Sequence, residues 1–461
     1  MKYVSTRGRA PVLDFEDALL TGLARDGGLY VPETWPTLSH DQLRDLRGKP
    51  YADVAMAVIR PFVSDSLASG QLRTMIDEAY ATFGHPAVTP LKQLDANQWL
   101  LELFHGPTLA FKDIAMQLLS RLMDWALERR EARATIVGAT SGDTGGAAID
   151  AFQSSKRTSI FILHPNGRVS DVQRRQMTTV MSDNVHNIAL NGTFDDCQAA
   201  LKDMFNDMAF RDEVHLAGVN SINWARIMAQ IVYYVTAAVA LGAPDRQVSF
   251  TVPTGNFGDI FAGYVAKQMG VPIDRLVIAT NVNDILERTL RTGRYEVTGV
   301  TPTTSPSMDI QVSSNFERLL FEAHGRDSQT IVRLMSGLKQ SDSFGLAQAP
   351  LAAIRASFDA GRCSEQEVAQ TIAETLAATG ELLDPHSAVG YAVAKRMPQG
   401  ASPMVILATA HPAKFPQAVE GASGIHPALP ARLGDLMSRQ ERFVELDNDL
   451  TVIESHIRQL V

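Results

Sequence analysis

Ala134-Thr135-Ile136-Val137-Gly138-Ala139-Thr140-Ser141-Gly142-Asp143-Thr144-Gly145-Gly146, running on into residues 147–152, is the stretch that decides the fold. A short β-branched apolar run ends in small and hydroxylated residues, and a helical segment follows. Such a run fits a strand buried on both faces of a parallel sheet. The same texture extends outward from about Trp99, with β-rich runs at 159–163, 185–190, 248–252, 276–279 and 404–408. Each is followed by a turn or polar loop, and longer helical patterns lie between them. Over residues 113–130, Ile114, Leu118 and Leu122, with Leu119, Met123 and Leu127, recur at helical spacing. Asp113 starts that helix, where its charge complements the N-terminal dipole. This alternation predicts an α/β protein with ligand loops at the C-terminal ends of its strands.

The flanks read differently. Residues 1–98 alternate short apolar patches with turn residues and are expected to form an N-terminal cap of helices and short strands. Residues 286–380 look mainly helical, an inserted unit with a loop at 301–306. Residues 421–461 are expected to be a helical closing segment. A chain of 461 residues exceeds what one core usually accommodates, so several packed units are expected.

A net charge of -9 argues against a nucleic-acid-binding surface. The two cysteines, Cys197 and Cys363, permit neither a disulfide framework nor a Cys-based zinc motif, and fit a reducing cytoplasm. No metal site is expected. Residues 1–7 lead into no apolar signal region. Residues 227–242 are apolar but short for a membrane span and interrupted by Gln230 and Thr236, so a buried helix is expected there.

Three loops have the composition of anion sites. Residues 138–146 lie at a strand-to-helix turn where small residues expose backbone N–H groups beside a helix N-terminus. Thr254-Gly255-Asn256-Phe257-Gly258-Asp259 repeats that arrangement, and Asn220-Ser221-Ile222-Asn223-Trp224-Ala225-Arg226 gathers side-chain donors ahead of a long helix. None matches a nucleotide motif: no Lys follows the glycines of 138–146 as in a Walker A loop, and the spacing is not G-x-G-x-x-G. Three such loops point to a ligand with more than one anionic group. A fourth segment, Phe104-His105-Gly106-Pro107-Thr108-Leu109-Ala110-Phe111-Lys112-Asp113, puts Lys112 at a loop-to-helix junction. Partial desolvation and positive backbone potential there both lower an amine's pKa, which suits Schiff-base chemistry. An ordinary ion pair with Asp113 is the alternative at this point.

Taken together and in order, these segments resemble the threonine synthases, a family of fold-type-II (tryptophan synthase β-like) pyridoxal-phosphate enzymes, in the longer branch of enteric bacteria and fungi. The resemblance also includes residues 3–8, 22–33, 313–318, 384–390 and 408–415. It implies two parallel-sheet α/β lobes within residues 99–420, the smaller at about 120–220. It implies that Lys112 carries the cofactor as a Schiff base, that Gly255, Asn256, Phe257 and Gly258 cradle its phosphate, and that Thr409 meets its pyridine nitrogen. Asp143 stands where related enzymes carry Asn near the cofactor's 3′-oxygen. Ser141 and Thr144 would hold the substrate carboxylate, and Asn220, Ser221, Asn223 and Arg226 its phosphate. Arg suits that role because its planar fork binds phosphate bidentately. Shorter relatives often carry a basic residue after the Lys-Asp pair; here Ile114 follows, so other residues must neutralise part of that phosphate.

The implied reaction converts O-phosphohomoserine and water to threonine and phosphate by γ-elimination and β-addition, in a cytoplasmic monomer or homodimer without membrane or nucleic-acid partners. Lys112 would move the proton at Cα. A phospholyase of the same kind, releasing a keto acid, is the nearest alternative, and a non-catalytic binding protein on the scaffold a distant one. His105 could orient the substrate or brace a turn beside Gly106-Pro107, His386 and His411 are expected to be structural, and the apolar positions of 316–321 are expected to be core.

Overall fold

The β-rich runs build two separate sheets. In the computed structural model, which describes residues 1–398 and 400–461, the runs at Ala134–Ala139, Thr158–Pro165 and Val185–Asn191 stand side by side and parallel. Val248–Pro253, Ile273–Thr280 and Met404–Ala408 form the parallel centre of a second sheet. Among the described residues the first sheet has five strands and belongs to the smaller lobe; the second has six, with one antiparallel edge strand at Leu91–Gln93. The helix Lys112–Arg129 connects them, entering from Gln98–Glu102 of the larger sheet and leaving into Ala134–Ala139 of the smaller.

Two expectations about the flanks need correction, and one needs an addition. The boundary at 98 falls inside the larger sheet, because Leu91–Gln93 and Gln98–Glu102 both pair there; the helical cap ends at Ser69–Tyr80. The segment 286–380 is mainly helical but not wholly so. It contributes Phe358–Arg362 as an edge strand parallel to Ile273–Thr280, as well as the ribbon Arg294–Glu296 with Ser343–Gly345. The C-terminal segment is not purely helical either: Val444–Asp447 extends the smaller sheet beside Val185–Asn191, so that lobe draws on residues far beyond 220. These strands hide from a pattern search because edge strands are half-exposed and polar, as in Phe358-Asp359-Ala360-Gly361-Arg362.

The helix Trp224–Ala240 covers residues 227–240 of the apolar stretch and is buried along almost its whole length. It packs against the cap helix Tyr51–Val63, the helix Gly258–Gln268 and the Lys112 helix. Burial of Ile227, Ile231, Val232, Val235 and Val239 contributes about 1.5–3 kcal/mol each. Among the described residues no helix is long and apolar enough to cross a membrane.

The cap is joined to this core by named contacts. Tyr3 donates from its hydroxyl to the Phe62 carbonyl at 2.9 Å, and its ring lies in an aromatic cluster with Phe15 and Trp224. Asp26 closes the turn of residues 22–33 by accepting from Ser5 and from the backbone of Arg9, Ala10 and Gly28. Glycine is required at 28, where a Cβ would lie 2.3 Å from Ser5 Oγ.

Candidate active site

Both sheets aim the C-terminal ends of their strands at one cavity of about 740 Å³. Ala139 and Thr140 reach it from the smaller lobe, Pro253 and Thr409 from the larger, and Lys112 and Arg226 from helix N-termini between them. A cleft between α/β lobes at the strand C-termini is where this architecture places ligands.

Lys112 is 8% exposed. Among the described residues its Nζ has only two polar contacts, both long, 3.4 Å to Asp143 Oδ2 and 3.4 Å to Ser307 Oγ, and it lies over the Phe111 ring. Burial pushes its pKa below the usual lysine value, against the pull of Asp143 and with further lowering from Lys414 and Arg226. The alternative partner, Asp113, is occupied elsewhere: it accepts from Thr108 N at 2.8 Å and Thr108 Oγ1 at 2.6 Å. The ordinary ion pair with Asp113 is therefore not formed.

Asp143 heads the helix Asp143–Phe152 and is buried. Besides Lys112 it meets Lys414 Nζ at 3.1 Å, Gln173 Nε2 at 2.9 Å and Ser307 Oγ at 3.4 Å. Burial alone would raise its pKa, but Lys414 and Lys112 reverse this and hold it well below the carboxylate range. Gly142, just before it, adopts a φ of 141° and has no room for a Cβ, which would lie 2.4 Å from Gln173 Cδ. Thr140 Oγ1 accepts from the N–H groups of Gly142 and Gly145 and so shapes the turn.

The 255–258 loop is built from behind. Ser313 Oγ donates to the Gly255 carbonyl at 2.6 Å, and Asn315 donates to the Asn256 carbonyl from both its backbone N–H and its Nδ2, each at 3.0 Å. Phe257, at φ 64°, turns into the helix Gly258–Gln268 and packs its ring on Phe316 and Phe358. No acceptor among the described residues takes the N–H groups of Gly255, Asn256, Phe257 or Gly258. A Cβ on Gly255 would sit 2.6 Å from the Ser307 carbonyl. Four free N–H groups at a helix N-terminus fit a phosphate.

Of the remaining predicted residues, Ser141, Thr144, Asn220, Ser221, Arg226 and Thr409 all line the cavity. Arg226 is 3% exposed and has no carboxylate partner among the described residues. One Nη donates to the Val219 carbonyl at 3.3 Å while Nε has no partner, and burial pushes its pKa down to about 10. Asn223 is a correction. It does not border the cavity: its Oδ1 caps the helix by accepting from Ala225 N at 3.0 Å, and its Nδ2 donates to the Leu19 carbonyl at 2.9 Å. An Asn just before a helix serves the backbone first.

Sequence reasoning missed several residues here. His386, expected to be structural, lines the cavity, with Nδ1 2.9 Å from Asp384 Oδ1 and Nε2 accepting from Ser307 N at 3.4 Å. Ser307, in the 3-10 turn Pro306–Met308, and the buried Lys414 carried no local signal. The cavity wall also holds Arg25, Lys202 and Arg211, none with a carboxylate partner among the described residues, which supplies cations absent at Ile114. Residues 313–318 act as a strut: Asn315 also reaches the Ser221 carbonyl, and the buried Arg318 binds the carbonyls of Tyr30 and Ile222. His105 pairs with Glu102 and His411 caps the turn Pro412–Lys414, as structural residues do, and Phe316, Leu319, Leu320 and Phe321 are core.

The chain is similar to known proteins along its whole length. The family profile "Threonine synthase N terminus" matches residues 2–80, "Pyridoxal-phosphate dependent enzyme" residues 83–336, and "Threonine synthase, C-terminal" residues 387–457. Threonine synthase of Pseudomonas aeruginosa is 53% identical over 461 residues, covering 100% of this chain and 98% of that protein. The chain belongs to the threonine synthase family. Among solved threonine synthases, the pyridoxal-phosphate-bound protein of Brucella melitensis superposes with a TM-score of 0.98 at 63% identity, covering 100% of this chain and 99% of that one. Yeast threonine synthase does so with a TM-score of 0.95 at 38% identity, covering 100% and 98%. This member of the threonine synthase family is thus a pyridoxal-phosphate-dependent enzyme of fold type II. Its own residues fit the cofactor: a buried amine without a close partner, four free backbone N–H groups, and a Thr409 hydroxyl that bonds to no other described residue.

Proposed function

We propose that this enzyme converts O-phosphohomoserine and water into threonine and phosphate, with Lys112 as the residue that carries the cofactor and moves the proton at Cα. The observation that carries this reading is Arg226, a buried guanidinium without an acid partner, in the same cavity as Lys112. A charge buried in that way calls for an anion, and the substrate phosphate is the anion whose departure the reaction requires.

The N–H groups of residues 255–258 would hold the cofactor phosphate, Thr409 would meet its ring nitrogen, and Asp143 would lie beside its 3′-oxygen. The cofactor, when bound, supplies the electron sink that makes the Cα–H acidic. The chain does the rest. Ser141 and Thr144, at the N-terminus of the helix Asp143–Phe152, bind the substrate carboxylate and fix which face of Cα meets Lys112 Nζ. Asn220, Ser221 and Arg226 hold the phosphate on Cγ, with Arg25, Lys202 and Arg211 adding positive potential around it. A lysine whose pKa is lowered by burial accepts a proton at neutral pH more readily than a solvated one, as a general base must. The long Lys112 contacts leave its amine free to move between carbon atoms. Cytoplasmic residence, as monomer or homodimer, belongs to the same reading; both cysteines are buried and free, which suits a reducing compartment.

The test is product analysis after adding O-phosphohomoserine to the cofactor-loaded protein. Threonine and phosphate in equal amounts are expected, and activity should fall about 10³–10⁴-fold in Lys112→Ala. Phosphate accompanied by 2-oxobutyrate would instead identify a phospholyase.

A further inference from the structure

We propose that Lys414 is a positioning residue of the active site: as the standing counter-cation of Asp143, it holds that carboxylate against Lys112 and balances the buried charge around the cofactor lysine. The inference rests on Lys112 being that lysine.

Lys414 is fully buried and stands behind the residues that line the cavity. It is held by three acceptors. Its Nζ donates to the Thr108 carbonyl at 2.6 Å and to Gln176 Oε1 at 2.9 Å, and meets Asp143 Oδ1 at 3.1 Å. Those three acceptors belong to the loop before Lys112, to the helix Asp171–Thr178 and to the helix Asp143–Phe152. One ammonium group therefore pins the approach to Lys112 to the smaller lobe. Lys112, by contrast, lies 3.4 Å from the other oxygen of the same carboxylate.

The charges around Lys112 leave Asp143 no substitute. From its own helix, Asp113 is turned to Thr108. From the helix Gly258–Gln268, Asp259 accepts from Tyr233 and Tyr234. Asp384 is taken by His386 and Ser387. Arg226, from the helix Trp224–Ala240, is a second cation without an acid. Asp143 is thus the one carboxylate in contact with Lys112 among the described residues, shared between two lysines. A buried carboxylate that lost Lys414 would keep the neutral donors Gln173 and Ser307 but have Lys112 as its contacting cation, and would tie up the amine that must move.

The proposal makes a sign prediction that a merely structural lysine would not. In cofactor-loaded protein, the pH midpoint of the visible absorbance change should rise by about one to two units in Lys414→Met, which removes a positive neighbour. It should fall in Asp143→Asn, which removes a negative one. The double variant should return close to wild type, and Lys414→Arg should keep the wild-type midpoint. Single variants that shift in the same direction, or not at all, would overturn the proposal. If Lys414→Met does not melt cooperatively, the comparison passes to Asp143→Asn and the double variant. There the second substitution must move the midpoint back up, and a double variant that stays with the single refutes the idea. A visible band that survives in Lys112→Ala would refute the underlying reading instead.

Discussion

The two segments proposed to hold phosphate, 255–258 and 220–226, face one cavity but are built from different donors. The first offers backbone N–H groups, with its carbonyls tied down by Ser313 and Asn315 and its glycine packed against Ser307. The second offers side chains: an exposed Asn220, a half-buried Ser221 and the unpaired Arg226, with Lys202 and Arg211 on the same cavity wall. Backbone donors held from behind cannot reorient, which suits a resident group gripped identically through every turnover. Side-chain cations reach, adapt and respond to salt, which suits a group that arrives on the substrate and leaves as product.

The largest effect that could break this contrast is on the side-chain segment. Arg226→Gln should raise the KM for O-phosphohomoserine about 100-fold, since losing one partner of a buried charge pair costs roughly 2–5 kcal/mol, while cofactor affinity stays near wild type. Gly255→Ala should do the reverse. Its Cβ would meet the Ser307 carbonyl at 2.6 Å, and forced repacking of about 1–3 kcal/mol should weaken cofactor binding roughly tenfold or more in an equilibrium titration. The pH dependence of folding sharpens the backbone side. Burial raises the Asp259 carboxyl to about 6 from its ordinary 3.8, despite the hydroxyls of Tyr233 and Tyr234. Between those values the native protein binds a proton that the unfolded chain does not, so stability falls as pH rises through about 4 to 6. In denaturant melts of cofactor-free protein, stability should fall less steeply over that window in Asp259→Asn than in wild type, by about 2–3 kcal/mol in all; Asp150, raised to about 7 by burial, keeps a fall of the same sign in the variant. The smallest effect concerns Asn223. Its replacement by Ala should cost about 1–2 kcal/mol of stability through the lost helix cap and leave KM unchanged.

Much of this was legible in the chain. Six β-rich runs are strands because a strand buried on both faces must be apolar throughout, and composition records that directly. The strands at Phe358–Arg362 and Val444–Asp447 escaped notice because solvent covers part of each. In the site, Lys112 and the glycine loops announce themselves through local patterns of small residues beside helix starts. Ser307 and Lys414 do not, because their meaning lies in partners 195 and 306 residues away, Lys112 and Thr108. Asn223 misled for the opposite reason. Its neighbours donate to the cavity, but its own side chain satisfies the backbone it sits on, and composition does not distinguish the two uses.

Two buried lysines, Lys112 and Lys414, flank Asp143, and the account assigns the cofactor to the first alone. Borohydride reduction of the loaded protein followed by peptide mass mapping reads that assignment directly. The added cofactor mass is expected on the peptide containing Lys112 and nowhere else; the same mass on the Lys414 peptide would contradict the account.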